Sequence, residues 1–125
     1  MPTTFEWDSL ENYLITKGYN YDGTTAENKI GKSVASTTGW KLNEKDGAIG
    51  NNQTTNNKSG FTGLPAGSRD NFGVFSGVGQ YSHWWSSSNF LELSGFYEYL
   101  YYSTSEMDHN TASTESGLSV RCVNN

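Results

Sequence analysis

The side chains that most often carry out catalysis are scarce in this sequence. Its single thiol is Cys122, and its two histidines are His83 and His109. Cys122 lies in an apolar segment, so the sequence predicts an unreactive buried thiol or half of a disulfide with a partner outside the chain. We predict that His83, beside Trp84, is a packing residue, and that His109, in a polar stretch, is solvated or contacts a ligand. Because no nucleophile stands near a base, we predict that the protein is not an enzyme.

Patterns for metals and cofactors are equally weak. One cysteine and no histidine pair at zinc spacing exclude a structural zinc cluster. Residues 43–46 and 106–108 are rich in oxygen ligands but lack the regular spacing of an EF-hand loop, so calcium is kept only as a minor alternative. The glycine-rich stretch 60–67 lacks the ending of a phosphate-binding loop. We therefore predict neither a metal site nor a cofactor.

Aromatic residues give the positive signal. Phe, Trp and Tyr make up 14% of the chain, which has eight Tyr. Tyrosine set among Ser, Gly and Asn is typical of recognition surfaces, although an aromatic-filled core is an alternative explanation. In residues 96–102 the strand period of two places Phe96 and Leu100 on one face. Tyr97, Tyr99 and Tyr101 lie on the other, which we predict to be presented to a ligand.

The sequence predicts loops on either side of this strand, and both supply further candidate contacts. Apolar residues precede the strand in a Ser- and Asn-rich setting, where membership of the core is an equal alternative. Short polar residues follow it. The full set of predicted ligand-binding residues is Phe90, Leu91, Leu93, Tyr97, Tyr99, Tyr101, Asp108, His109, Asn110 and Thr111.

Length and charge restrict the function further. A chain of 125 residues supports one domain, which we place at residues 1–125. Eight basic residues against thirteen acidic ones give a net charge of −5, which excludes a nucleic-acid partner because phosphates would be repelled. No apolar run approaches the roughly 18 to 20 residues of a membrane span, and residues 1–6 lack the pattern of a signal peptide. We predict no membrane insertion by this chain.

The elements that position these residues begin with helices. Thr3 and Glu6 form a capping-box pattern, which predicts a helix over residues 4–17. The same pattern recurs at Thr24 and Glu27 and predicts a second, shorter helix before the Ser-Thr-Thr-Gly break.

A long polar segment and several strands follow the helices. Residues 41–59 contain almost no apolar side chain and predict a surface loop, with Trp40 and Phe61 as anchors at its ends. Strands are predicted at residues 72–75, 81–85, 96–102 and 118–123. In the last of these, Leu118, Val120 and Cys122 alternate as a core face. The fold class is therefore α+β, with two N-terminal helices followed by a small, twisted, mostly antiparallel sheet with long loops.

Several motifs together resemble one protein family. They are Gly60-Phe61, Leu64-Pro65-Ala66-Gly67-Ser68-Arg69-Asp70, Trp84-Trp85-Ser86-Ser87, Tyr99-Leu100-Tyr101-Tyr102 and Gly117-Leu118-Ser119-Val120-Arg121-Cys122-Val123. With Pro2-Thr3 and Glu6-Trp7 ahead of them, the chain resembles the Fibrobacter succinogenes major paralogous domain over nearly its whole length. The resemblance implies a C-type-lectin-like fold and an extracellular or cell-surface location in Bacteroidetes and Fibrobacteres.

The resemblance implies two further expectations. Residues 88–116 are similar to the variable region of proteins diversified by retroelements, in which Met107 and the glutamates would be fixed positions. Family members usually carry a Cys-Pro-x-Gly-Trp-like segment upstream, so Cys122 is expected to lack a partner here, and either a first strand is missing or this is a compact version of the domain. The motifs of calcium-dependent sugar-binding lectins are absent.

Together these observations predict a non-enzymatic ligand-binding or display module. Its Tyr-, Ser- and Asn-rich surface, which is a candidate for hypervariability, would recognise a protein or a glycan. One alternative is a structural or adhesive domain of a surface lipoprotein or appendage, which a large self-complementary apolar patch would favour. Another is a cysteine-dependent oxidase, known on related lectin-like scaffolds, which would need an accessible thiol.

Overall fold

The structure, a computed structural model, describes residues 1–124 and has the predicted α+β class. Its helices are α1 (Thr4–Thr16), α2 (Gly31–Val34) and a short 3-10 helix (Gln53–Thr55). Its strands are β1 (Ser68–Arg69), β2 (Phe75–Ser76), β3 (Tyr81–Leu91), β4 (Ser94–Tyr101) and β5 (Asp108–Ser113). Strands β3, β4 and β5 form an antiparallel sheet in that order, and β1 pairs with β2. None of the helices described is long and apolar enough to cross a membrane.

Helix α1 forms as predicted, and its first turn shows why. The Glu6 N–H donates to the Thr3 hydroxyl over 3.2 Å, and the Thr3 N–H donates to the Glu6 carboxylate over 2.8 Å. This reciprocal cap satisfies amides that have no partner inside the helix. Trp7 and Leu14, seven residues apart, are the buried residues of the helix and fix it against the core.

The second helix does not begin at the predicted Thr24 cap and forms only over its last four residues, because side chains satisfy the earlier part of the backbone in another way. Asp22 accepts hydrogen bonds from both the N–H and the hydroxyl of Thr24 and forms a turn there. Asn20 then accepts from the N–H of Lys29 and donates to the carbonyl of Glu27, which has a φ of 62°. Asn and Asp compete with helix formation in this manner. Only the four residues of α2 are helical.

The polar segment after Trp40 does not lie wholly on the surface, as the sequence predicted. Ala48 and Ile49 are fully buried. The buried amide of Asn56 donates to the carbonyl of Ile49 over 3.2 Å and so ties the segment to itself. The two predicted anchors are confirmed, since Trp40 is buried and Phe61 packs against the core.

A buried lysine from α2 holds the same segment. Lys32 is only 8% exposed. Its ammonium donates to the main-chain carbonyls of Ala48, Asn51 and Asn52. Carbonyl oxygens compensate for the hydration that a buried ammonium loses. The segment is therefore organised around an internal cation rather than around an apolar cluster alone.

The predicted C-terminal strand at residues 118–123 is also wrong. Ser119 makes a single bridge to β3. Further along the edge of β3, Pro2 takes the place of the predicted strand, because the N–H of Ser87 donates to the carbonyl of Pro2 over 2.7 Å. The chain therefore leaves the sheet, and Cys122 is exposed rather than buried.

The core is largely aromatic where α1 meets the sheet. The rings of Trp7 and Trp84 lie 6.4 Å apart, and the Phe61 ring meets Trp84 edge-on at 5.4 Å. Such tilted and edge-to-face arrangements are the preferred geometry of aromatic pairs. The buried cluster consists of Trp7, Leu14, Ile30, Val34, Ala35, Trp40, Ile49, Trp84, Leu100 and Met107.

Candidate binding face

The pairing of β3 with β4 assembles aromatic residues from both strands. Residues directly opposite each other in a sheet share a face. The pairs are Tyr81 with Tyr101, His83 with Tyr99, and Trp85 with Tyr97. We call these six residues the aromatic face. All six are half-buried, whereas Leu100 on the other side of β4 is fully buried.

The predicted register of the tyrosine strand is therefore confirmed. Leu100 packs into the core, Phe96 on the same side is half-buried, and the tyrosines lie on the opposite side. The tyrosines are only partly exposed because rings from β3 cover them.

Five of the six rings of the aromatic face, all except that of Tyr101, form a continuous series of contacts. His83 stacks on Tyr81 with a centroid distance of 4.4 Å and lies 4.6 Å from Tyr97. Tyr97 is in turn 6.0 Å from Tyr99 and meets Trp85 edge-on at 6.5 Å. Each ring limits the rotamers of its neighbours, so the face is preorganised for contact.

His83 is the packing residue that the sequence predicted, and its setting makes the aromatic face uncharged. Burial lowers the pKa of His83 to about 4. The imidazole is therefore neutral at physiological pH. Sequence reasoning missed that Tyr81, His83 and Trp85 belong to the candidate site, although their alternation along one strand was a visible signal.

Strand β5, which the sequence assigned to a loop, extends the same face with polar residues. Asp108 pairs with Tyr99, and Asn110 pairs with Tyr97. The Tyr99 hydroxyl donates to the Asp108 carboxylate over 3.3 Å. Burial, with a smaller contribution from Asp108, raises the pKa of Tyr99. These two predicted contacts therefore lie beside the tyrosines as a polar border.

The two other polar candidates lie on the opposite side of the sheet. His109 pairs with Glu98, and Thr111 pairs with Phe96, so both share the face that α1 covers. The structure therefore divides the predicted ligand-binding residues between two faces. A strand in place of the predicted loop is the reason, because neighbours in a strand alternate.

The apolar candidates lie where β3 turns into β4. Phe90, Leu91 and Leu93 are 52%, 64% and 71% exposed, so the alternative that they belong to the core is wrong. Phe90 contacts Phe96 edge-on at 5.3 Å, which supports the turn from one side. These residues form an exposed apolar tip at the end of the sheet.

A cavity of about 210 Å³ adjoins the aromatic face near that tip. Its lining includes Trp85, Asn89, Gly95 and Thr114. A Cβ on Gly95 would lie 3.2 Å from the Trp85 ring, so the glycine allows this ring to lie close to β4. The candidate site thus combines an aromatic face with a small polar-edged recess.

The comparison with known families decides the relationship of the chain. The family model of the Fibrobacter succinogenes major domain matches residues 1–124. The chain belongs to this family. No curated protein and no solved structure gives a significant match.

This Fibrobacter succinogenes major domain also exposes a second apolar surface that sequence reasoning missed. It lies around the β1–β2 hairpin, where the Asp70 carboxylate accepts from the N–H groups of Phe72 and Val74 and holds the turn. We call this surface the hairpin patch. Its residues are Leu64, Phe72, Val74, Phe75 and Val78, which are 57% to 86% exposed.

Metal ligands do not converge in the part of this family member that the structure describes. Among residues 1–124 no group of three His, Cys, Asp or Glu side chains is arranged to hold a metal ion. The acidic residues of the two oxygen-rich runs, 43–46 and 106–108, form no such group either.

Proposed function

We propose that the protein is a non-enzymatic binding module whose aromatic face contacts a protein or glycan ligand. The observation that carries this proposal is the assembly of six half-buried rings from β3 and β4 on one side of the sheet. Tyr and Trp rings bury large areas at a low cost in side-chain entropy. The neutral His83 keeps the centre of the face free of charge, so binding requires no desolvation of an ion there.

The polar border and the apolar tip complete the proposed surface. Asp108 and Asn110 provide hydrogen-bonding groups next to the rings, as polar rims do in protein interfaces. The tip of Phe90, Leu91 and Leu93 supplies exposed apolar area at one end. Ligand contact at the tip would bury side chains that are now in water and so contribute favourable free energy.

Family membership supports the finer parts of the proposal. We propose a C-type-lectin-like fold, an extracellular or cell-surface location, and diversification of residues 88–116. Within this window Met107 and Glu98 are each only 1% exposed, whereas Phe90 and Leu91 are freely exposed. Buried fixed positions beside exposed variable ones are what a diversified surface on a constant scaffold requires. Sequences of the same locus from several strains would test this by showing whether changes avoid the buried positions.

An array of glycans and proteins probed with the purified domain would identify a ligand, and variants would then test the face. Replacing Tyr97 with Ala should weaken binding by about 1 to 3 kcal/mol, as expected for a central aromatic contact. Tyr13→Ala is the matched control, because Tyr13 is a tyrosine on α1 that is 57% exposed. Equal affinity of Tyr97→Ala and the wild type, or equal losses in both variants, would contradict the proposed face.

The hairpin patch favours a second function, assembly into a structural or adhesive surface. Phe72 and Phe75, 86% and 78% exposed, are unusual for a freely soluble surface. If this function holds, sedimentation should show concentration-dependent association that Phe72→Ser abolishes. A monomer at all concentrations tested would argue against it.

A further inference from the structure

A second pocket lies on the side of the sheet opposite the aromatic face, between α1 and strands β4 and β5. Its volume is about 210 Å³. Its walls are Thr4, Asp8, Phe96, Glu98 and His109. The pocket therefore brings two carboxylates, an aromatic ring and a histidine around one small space.

Glu98 is the unusual member of this set. It is only 1% exposed, and its Oε2 has no hydrogen-bond partner among the described residues. On α1, the buried Oε1 of Glu11 also has no hydrogen-bond donor among the described residues, whereas its Oε2 accepts from the Asn28 amide over 3.0 Å. A buried carboxylate without a donor is costly. A proton on Glu98 satisfies the pair, because the protonated carboxyl donates to the Glu11 carboxylate, and any other cation must displace that proton.

The charges around the pocket also favour a bound cation. Burial is the main reason that the pKa values of Glu11 on α1 and Glu98 on β4 are raised, and the charges of Asp8 on α1 and of Asp108, on the other face of β5, contribute to both. Within residues 1–124, no Lys or Arg forms a salt bridge with any of these four carboxylates. The imidazole of His109, 3.9 Å from Asp108, is the basic group that faces them from β5.

We propose that this pocket binds a primary alkylammonium group, from either a free amine or a lysine side chain. An ammonium has three N–H donors, which suit the buried Glu98 carboxylate and the exposed Asp8 carboxylate. The Phe96 ring in the wall would contact the cation or its alkyl stem. A metal ion fits less well, because no three acidic or histidine side chains among residues 1–124 are arranged to hold one.

The ammonium can bind to the Glu98 carboxylate only if it displaces the proton that Glu98 carries. Burial first, and then the nearby Glu11 carboxylate, raise the pKa of Glu98 to about 9, so Glu98 holds a proton at neutral pH. An ammonium bound to the Glu98 carboxylate would release that proton. The affinity should therefore increase about tenfold for each unit by which the pH rises, up to the pKa of Glu98.

The test is a titration of the isotope-labelled full chain with n-butylammonium chloride near pH 8, followed by NMR. Saturable shifts of the amides of Thr4, Phe96 and His109 are expected. Tetramethylammonium chloride at equal concentration is the control, because it carries the same charge without N–H donors. A lysine derivative blocked at both ends forms a parallel arm. Tighter binding of this derivative would identify a peptide lysine as the source, and tighter binding of butylammonium a free amine.

Two variants complete the experiment. Glu98→Gln keeps the size of the side chain and removes its charge, and we expect at least a tenfold loss of affinity. Glu44→Gln, an exposed carboxylate in the long polar segment, removes the same charge elsewhere and should leave binding unchanged. Asp8→Asn, on the exposed rim, should also weaken binding without affecting the core.

Three results would overturn the proposal. These are equal binding of tetramethylammonium, equal losses in Glu98→Gln and Glu44→Gln, and the absence of saturable shifts. Because the aromatic face lies on the other side of the sheet, ligand binding there should be unaffected by Glu98→Gln. A failure of one proposal can therefore be told apart from a failure of the other.

Discussion

Glu98→Gln should make the protein more stable in mildly alkaline solution, although it replaces a buried carboxyl group in the centre of the sheet. The pKa of Glu98 is raised from its ordinary value of 4.5 to about 9 by burial and by the neighbouring Glu11 carboxylate. Between these values the folded protein binds a proton that the unfolded chain has lost. The free energy of unfolding must therefore decrease as the pH rises through this window.

The size of the effect follows from one proton. One additional proton in the folded state gives a slope of about 1.4 kcal/mol per pH unit, or roughly 3 kcal/mol between about pH 6.5 and 8.5. The pH range begins at 6.5 because His83, whose pKa is lowered to about 4, affects stability below that pH. That histidine contributes stability that is complete above its unfolded pKa of about 6.5 and is lost as the pH decreases toward 4. Below pH 6.5 the two groups act in opposite directions.

Urea denaturation across this pH range would measure both proteins. The wild type should lose stability with increasing pH, while Glu98→Gln should keep a nearly constant free energy of unfolding. The glutamine amide can donate to Glu11 at every pH, so no buried like-charge pair develops. Glu44→Gln, at an exposed position, should follow the wild type to within about 0.5 kcal/mol. A flat wild-type profile, or a glutamine variant less stable than the wild type near pH 8.5, would refute the reasoning.

Three other substitutions or reactions test separate parts of the structure. Lys32→Met should lower the free energy of unfolding in urea by about 2 to 4 kcal/mol, because it leaves buried carbonyls without a donor. Lys58→Met, at an exposed position, should cost little. Arg121→Ala should lower Tm by several degrees and leave ligand binding intact, because Arg121 stacks on the Phe61 ring at 4.1 Å and donates to its carbonyl; Arg121→Lys should restore only part of the loss. Cys122 should react with a thiol reagent about as fast in the native as in the denatured protein, since it is exposed; strong protection would place it back in the core.

Features controlled by short stretches of chain could be predicted from the sequence. The capping box at Thr3 and Glu6 joins residues three apart, so the start of α1 depends on nothing distant. The alternation of Leu100 with Tyr99 and Tyr101 placed the tyrosines on one side of β4 for the same local reason. The order of the motifs along the chain was sufficient to identify the family.

The same local reasoning failed where another part of the chain competed. The Thr24–Glu27 capping pattern exists in the sequence, but Asp22 and Asn20 bind the groups that it would have used. The alternation of residues 118–123 would suit a strand, yet Pro2 occupies the edge of β3 where that strand would continue. Neither competitor can be recognised without knowing which segments become neighbours.

The composition of the candidate site was decided by tertiary structure. Tyr97, Tyr99 and Tyr101 were expected, but their partners Tyr81, His83 and Trp85 join them only through the register between β3 and β4. The formation of β5 then placed Asp108 on the aromatic face and His109 on the opposite one.

Glu98 shows most clearly what could not be predicted from the sequence. In the sequence it is one charged residue among tyrosines, as suited to solvent as any glutamate. Its burial follows because α1 packs over this side of the sheet and places Glu11 beside it. Residue types and short-range periodicity determined the start of α1 and the two faces of β4. The burial and charge state of this carboxyl were decided by contact between residues 87 positions apart, which no local pattern encodes.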